Sequence, residues 1–215
     1  MKVDFLPEGT KQWYLNLITP VVNFFIQLEM NPNWFTTIGF IISFFAAYFY
    51  ASGSLRLAGF LILLAGTFDI IDGRVARSTN RVTKFGALYD STLDRYSEVI
   101  MFFGLAYFFI KEALLSSSNL YLAIFSSVAV SVALGGSVMV SYVRARAEAL
   151  GFECKVGIMQ RPERIVYIGI GSLFHKYTLI LALVIVAILA NFTALQRLYH
   201  IWQKENGRKL EPVNE

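Results

Sequence analysis

Apolar runs close to the length that crosses a hydrocarbon core, about 20 residues, recur along the chain between short polar loops. They predict six spans: Trp34–Ser52, Leu55–Ile71, Phe85–Ile110, Leu120–Val143, Ile165–Phe174 with its flanking turns, and Tyr177–Trp202. The fifth is short and needs residues before Arg164 to complete a crossing. Ahead of the first span, the apolar stretch KQWYLNLITPVVNFFIQLEM is interrupted by Pro20 and ended by Glu29. That pattern predicts a helix lying in the membrane interface rather than a seventh crossing. The expected architecture is therefore an all-α integral membrane protein, with six transmembrane helices preceded by a juxtamembrane helix. A single domain is expected over 1–215: residues 1–30 juxtamembrane, 34–202 the six-helix bundle and 203–215 a tail. No internal repeat or low-complexity tract interrupts it.

Composition agrees with the bilayer. The 215 residues are 56% hydrophobic and 16% charged, with a mean hydropathy of +0.54, too apolar for an ordinary soluble domain. A single cysteine, Cys154, excludes an internal disulfide framework and reads as a reduced thiol; no Cys/His spacing suggests zinc. The first residues lack a basic region followed by an apolar one, so no cleaved signal peptide is expected. All Lys and Arg residues except Arg56, Arg95, Lys111 and Lys176 fall on the N-terminus, the second and fourth loops, the tail and, for Arg197, the tail-side end of the last span. The positive-inside rule then places both termini in the cytoplasm, with the protein in the inner membrane of the cell. The net charge of +4 fits this orientation and contacts with anionic membrane lipids, and no nucleic-acid partner is expected.

Four acids break the apolar pattern. Asp69 and Asp72 close the second span, and Asp90 and Asp94 open the third. Spacings of three and four put each pair on one helix face. The short loop between the spans makes them antiparallel neighbours with those faces opposed. An isolated carboxylate in a low-dielectric setting is costly, and intramembrane acids mark functional sites. Hard oxygen ligands suit Mg²⁺ or Mn²⁺. Three carboxylates suffice to bridge two ions and leave the fourth as a base. The bland alternative is pairing with Arg74, Arg77, Arg81, Lys84 and Arg95. Gly66, Gly73, Ala76 and Gly86 lie on the same faces, where small residues allow close approach of a helix or a flat ligand. Arg77 stands ready for phosphate oxygens.

Together, Asp69-x-x-Asp72-Gly73-x-x-Ala76-Arg77 and Gly86-x-x-x-Asp90-x-x-x-Asp94 resemble the CDP-alcohol phosphotransferase signature without departure. The likeness extends over most of the chain, and NPNWFTT before the first span looks like the family's Pro-Asn-x-x-Thr motif. The resemblance implies transfer of a phosphatidyl group from CDP-diacylglycerol to an alcohol, with release of CMP, at a cytoplasmic active site. It also implies that Asp69, Asp72 and Asp90 hold the metals and that Asp94 is the general base. By the same likeness, Asp69, Gly73, Ala76, Arg77, Gly86 and Thr37 line the CDP-lipid site.

The acceptor is read from SYVRARAEALGFECKVGIMQRPERIV, Ser141 to Val166, where Ser141, Arg144, Arg146, Arg161 and Arg164 cluster. Guanidinium forks suit an acceptor with its own phosphate; the alternative is topology and lipid headgroup contact. The stretch resembles the bacterial phosphatidylinositol-phosphate synthase branch, with Arg144 where lysine is common. That likeness implies that Ser141, Arg144, Arg164 and, less directly, Arg197 bind the phosphate of inositol 1-phosphate. Glycerol 3-phosphate is the alternative acceptor. A divalent-cation transporter is the alternative of another class, but it requires acids along a path, whereas these crowd one end. His175 and His200 stand alone. The glycines Gly135, Gly136, Gly169 and Gly171 either permit close helix packing or line a homodimer interface.

Overall fold

The computed structural model describes residues 8–115 and 120–210. Among them the chain forms α1 (Glu8–Gln27), α2 (Pro32–Ser52), α3 (Leu55–Ser78), α4 (Lys84–Leu115), α5 (Leu120–Ala149), α6 (Arg161–Phe174) and α7 (Lys176–Leu210), with no strand. Three helices, α2, α5 and α7, are long and apolar enough to cross a membrane on composition. In α3 and α4 the aspartates and other polar residues interrupt the apolar run. α6 has 14 residues, which at ~1.5 Å rise per residue falls short of a ~30 Å hydrocarbon core. Pro20 does not break the first element, because α1 runs through it. α7 likewise continues beyond Trp202, where the last span was expected to end, to Leu210; residues 211–215 of the expected tail lie outside the described residues.

Local signals set the helix ends. Asn31 caps α2, its side chain accepting from the Asn33 amide at 3.0 Å, and Pro32 follows in the first turn, where a missing N–H costs nothing. Gly53 ends α2 at φ 92°, a left-handed conformation that glycine adopts without a Cβ penalty. α2 packs on α3 and α4, α5 on α4 and α7, and α6 on α3 and α7, while α1 rests on α3. The core joins Tyr50, Ile62, Met101, Phe102, Leu105, Ile168 and Leu183 from five helices.

Small residues decide how closely these helices meet. A Cβ on Gly104 would overlap the Ala47 carbonyl of α2. Gly136 lies against Asn191 of α7, Gly169 against Leu63 of α3 and Gly171 against Ala182 of α7. These three therefore serve packing inside the chain, whereas Gly135 has open space around its Cβ position. Polar pairs mark the two ends of the bundle. Lys176 of α7 meets Glu112 of α4 at 2.7 Å at one end. At the other, Arg197 donates to the Val140 and Val156 carbonyls at 2.6 and 2.8 Å. The second end carries the acids.

Candidate active site

The two acidic pairs converge. Carboxylate oxygens of Asp69, Asp72 and Asp90 all lie within 4.8 Å of one another. Helical spacing on α3 and α4 produces this, since residues three or four apart share a face and the antiparallel helices oppose them. A third helix supports the group from behind: Thr36 of α2 donates to Asp72 Oδ2 at 2.7 Å, and Asp72 itself is buried. Thr36 was not among the expected ligand-lining residues. Its signal was the Pro-Asn-x-x-Thr motif, in which Thr36 rather than Thr37 occupies the final position. Thr37 instead bonds the Tyr89 hydroxyl at 2.9 Å and its own helix at Asn33.

The group fits a divalent ion on two counts. The donors are all carboxylates, and Asp90 Oδ1 is buried without a hydrogen-bond partner. A buried acceptor of that kind normally finds a donor, water or ion. Asp94 stands one turn beyond Asp90, and its Oδ2 lies 2.8 Å from Nη1 of Arg161. The same Nη1 lies 2.8 Å from Asp69 Oδ2. Arg161 opens α6, and Pro162 behind it suits a first helical turn.

A cavity of about 1270 Å³ adjoins the acids. Asp69, Arg77, Arg144, Lys155, Arg161 and Arg197 line its polar part, and Phe60, Leu63, Leu64, Ile165 and Ile170 its apolar part. Such a division suits an amphiphile with phosphates at one end. At Gly73, a Cβ would meet mainly the flexible guanidinium of Arg77, at 3.2 Å. At Gly86 it would meet the Thr83 hydroxyl at 2.9 Å and Asn33 at 3.5 Å. Ala76 is half-buried one turn from Asp72.

The expected acceptor residues divide. Arg144 and Arg197 line the cavity, although Arg144 also pairs with Glu148 at 2.8 Å and Arg197 is committed to two backbone carbonyls. Ser141 is half-buried on α5 and not part of the lining. Arg164 is withdrawn altogether: its side chain is 0% exposed, it grips Glu98 at 2.5 and 2.9 Å, and it donates to the Met159 carbonyl at 3.2 Å. Arg161, three residues earlier on the same helix, holds the place facing the acids. Cys154 is buried in the loop before α6, and that burial raises its thiol pKa, which keeps it neutral. His175 stacks on Tyr177 at the opposite end of α6 from the acids.

Three likenesses bear on this geometry. The chain is 37% identical over 199 residues to the archaetidylinositol phosphate synthase of Methanothermobacter thermautotrophicus, covering 88% of this chain and 95% of that one. Its fold matches the crystal structure of Mycobacterium tuberculosis phosphatidylinositol phosphate synthase with CDP-DAG bound, at TM-score 0.73 and 27% identity, covering 87% of this chain and 94% of that one. The same mycobacterial enzyme in complex with manganese and citrate matches at TM-score 0.73 and 28% identity, covering 86% and 88%. Residues 29–204 match the CDP-alcohol phosphatidyltransferase family, a span that contains both aspartate pairs. With that match over most of its length, the chain belongs to the CDP-alcohol phosphatidyltransferase family.

Proposed function

We propose that the protein transfers the phosphatidyl group of CDP-diacylglycerol to a hydroxyl of inositol 1-phosphate and releases CMP. The observation that carries this reading is the convergence of Asp69, Asp72 and Asp90 beside a cavity that is cationic at one end and apolar at the other. Asp69, Asp72 and Asp90 would hold Mg²⁺ or Mn²⁺, two ions in all. Bound there, the metal supplies neutralisation of charge on the phosphate oxygens of the donor.

The chain's own residues do the remainder. Asp69 and Arg77, which border the cavity, would meet the nucleotide end, and Gly73, Ala76, Gly86 and Thr37 would complete it once the flexible Arg77 side chain turns to the donor's phosphates. The apolar wall lets acyl chains remain in the bilayer. Asp94 takes the proton of the acceptor hydroxyl, a role that general-base catalysis makes worth roughly 10²–10⁴-fold in rate. Arg144 and Arg197, together with Lys155, draw the acceptor's phosphate, with Ser141 at the edge of that site. Arg164 acts at one remove: its grip on Glu98 fixes α6 against α4, one turn from Asp94.

Inositol 1-phosphate is favoured over glycerol 3-phosphate because the relatives' names share an inositol phosphate product. Six spans with both termini and the site in the cytoplasm fit the basic residues at the acidic end. A homodimer is compatible with the open face at Gly135. The test is CMP release by purified protein with CDP-diacylglycerol, Mg²⁺ and a panel of acceptors. Inositol 1-phosphate should exceed glycerol 3-phosphate, serine and free inositol; faster release with glycerol 3-phosphate overturns the acceptor assignment.

A further inference from the structure

Among the described residues Arg161 is the one cation ion-paired to these aspartates. Its Nη1 is shared between Asp69 and Asp94 at 2.8 Å each. The fit is incomplete on both sides. Arg161 Nε is buried without a hydrogen-bond partner, and so is Asp90 Oδ1. A guanidinium has five donors in a rigid fork, and here the fork does not match the carboxylates around it.

A divalent ion would change that balance. Held by Asp69, Asp72 and Asp90, it would meet the unmatched Asp90 oxygen, and it would place a second positive centre on Asp69. Like charges a few ångströms apart disfavour each other, so the ion and the guanidinium compete for one carboxylate. Arg161 has somewhere to go. It borders both the inner pocket among the acids, with Thr36, Asp72, Asp94 and Ser97, and the large cavity with Arg77 and Arg144. Its helix has no need to follow, because Arg164 anchors the next turn to Glu98 and Met159.

We propose that Arg161 is a resident counterion of the acid site that competes with the divalent ion for Asp69 and, when the ion binds, swings into the cavity and releases Asp94. This rests on the reading of Asp69, Asp72 and Asp90 as metal ligands. Arg161 is then a positioning residue for Asp94: without metal the base is tied up, and with metal it is free.

The test titrates full-length protein in detergent with Mn²⁺, without donor or acceptor, and reads free Mn²⁺ by its paramagnetic resonance. Arg161→Gln should bind Mn²⁺ roughly tenfold more tightly than the parent, within the range usual for coupled sites. Arg161→Lys, which keeps the charge, should stay near the parent. Unchanged or weaker binding in Arg161→Gln, with Asp72→Asn still abolishing it, overturns the counterion role and leaves the metal assignment standing. A parent that binds no Mn²⁺, or binds it equally after Asp72→Asn, overturns both. If Arg161→Gln does not fold, labelling of the parent by phenylglyoxal decides. Modification of Arg161 that speeds up on adding Mn²⁺ supports the proposal, and an unchanged rate overturns it.

Discussion

Thr36 donates to Asp72 from a helix that brings no acid of its own, and through that bond α2 joins the site. Groups that orient a metal ligand are typically worth 10–100-fold in affinity. Thr36→Val should therefore weaken Mn²⁺ binding by about tenfold, while Thr37→Val, which loses a bond to the Tyr89 hydroxyl and none to a carboxylate, should change it little; equilibrium titration separates the two. Asp94→Asn should keep Mn²⁺ and CDP-lipid binding and lose turnover by at least about 100-fold, the low end for a general base; single-turnover CMP release checks it. Asp72→Asn should lose metal binding as well. Cys154 should resist maleimide at pH 8 in the folded protein and react fully after denaturation, since burial both shields the thiol and holds it neutral. At this scale the aspartates were legible in sequence because spacings of three and four fix a helix face. The arginines were not. Arg161 and Arg164 lie three apart on one amphipathic turn, and only the packing of α6 on α3 and α7 decides which is buried on Glu98 and which meets the acids.

At the scale of elements, the bundle owes its site to pairs that lock helix to helix. Arg164 and Glu98 form a bidentate pair inside the protein. Removing one partner strands a buried charge, at a cost of roughly 3–5 kcal/mol. Glu98→Ala should accordingly lower the thermal midpoint in detergent by several degrees, and an unchanged midpoint would show that the pair does not hold α6. Gly104 makes a similar demand through shape. Gly104→Leu forces α2 and α4 apart, where overpacking costs roughly 1–3 kcal/mol, whereas the same change at Gly135 meets open space and should be silent in the same melt. Helix boundaries followed the sequence where caps are strong, as at Asn31 and Gly53. At α1 the expected juxtamembrane helix forms and runs through Pro20 without a break. Pro20 withdraws one donor, but tertiary contacts hold the segment: Arg74 of α3 reaches the Leu15 carbonyl at 2.9 Å and Thr19 at 3.1 Å, and Tyr14 bonds Thr67 at 2.6 Å. Contacts of that range leave no periodic trace in the sequence.

For the whole molecule, polarity is arranged by depth. Apolar side chains such as Phe44, Tyr107, Phe125 and Ile188 face outward, as a lipid-facing surface does, and the charged machinery gathers where α3 ends and α4 and α6 begin. This concentration at one end separates an enzyme working on a lipid headgroup from a transporter, which needs polar groups along its path. The account stands or falls on whether the carboxylates of α3 and α4 work through a divalent ion. The most direct measurement is CMP release from CDP-diacylglycerol and inositol 1-phosphate after exhaustive chelation, followed by titration back with Mn²⁺. The account predicts no release in chelator and full recovery with Mn²⁺ in the parent, with no recovery in Asp72→Asn. Release that proceeds undiminished in chelator would contradict it.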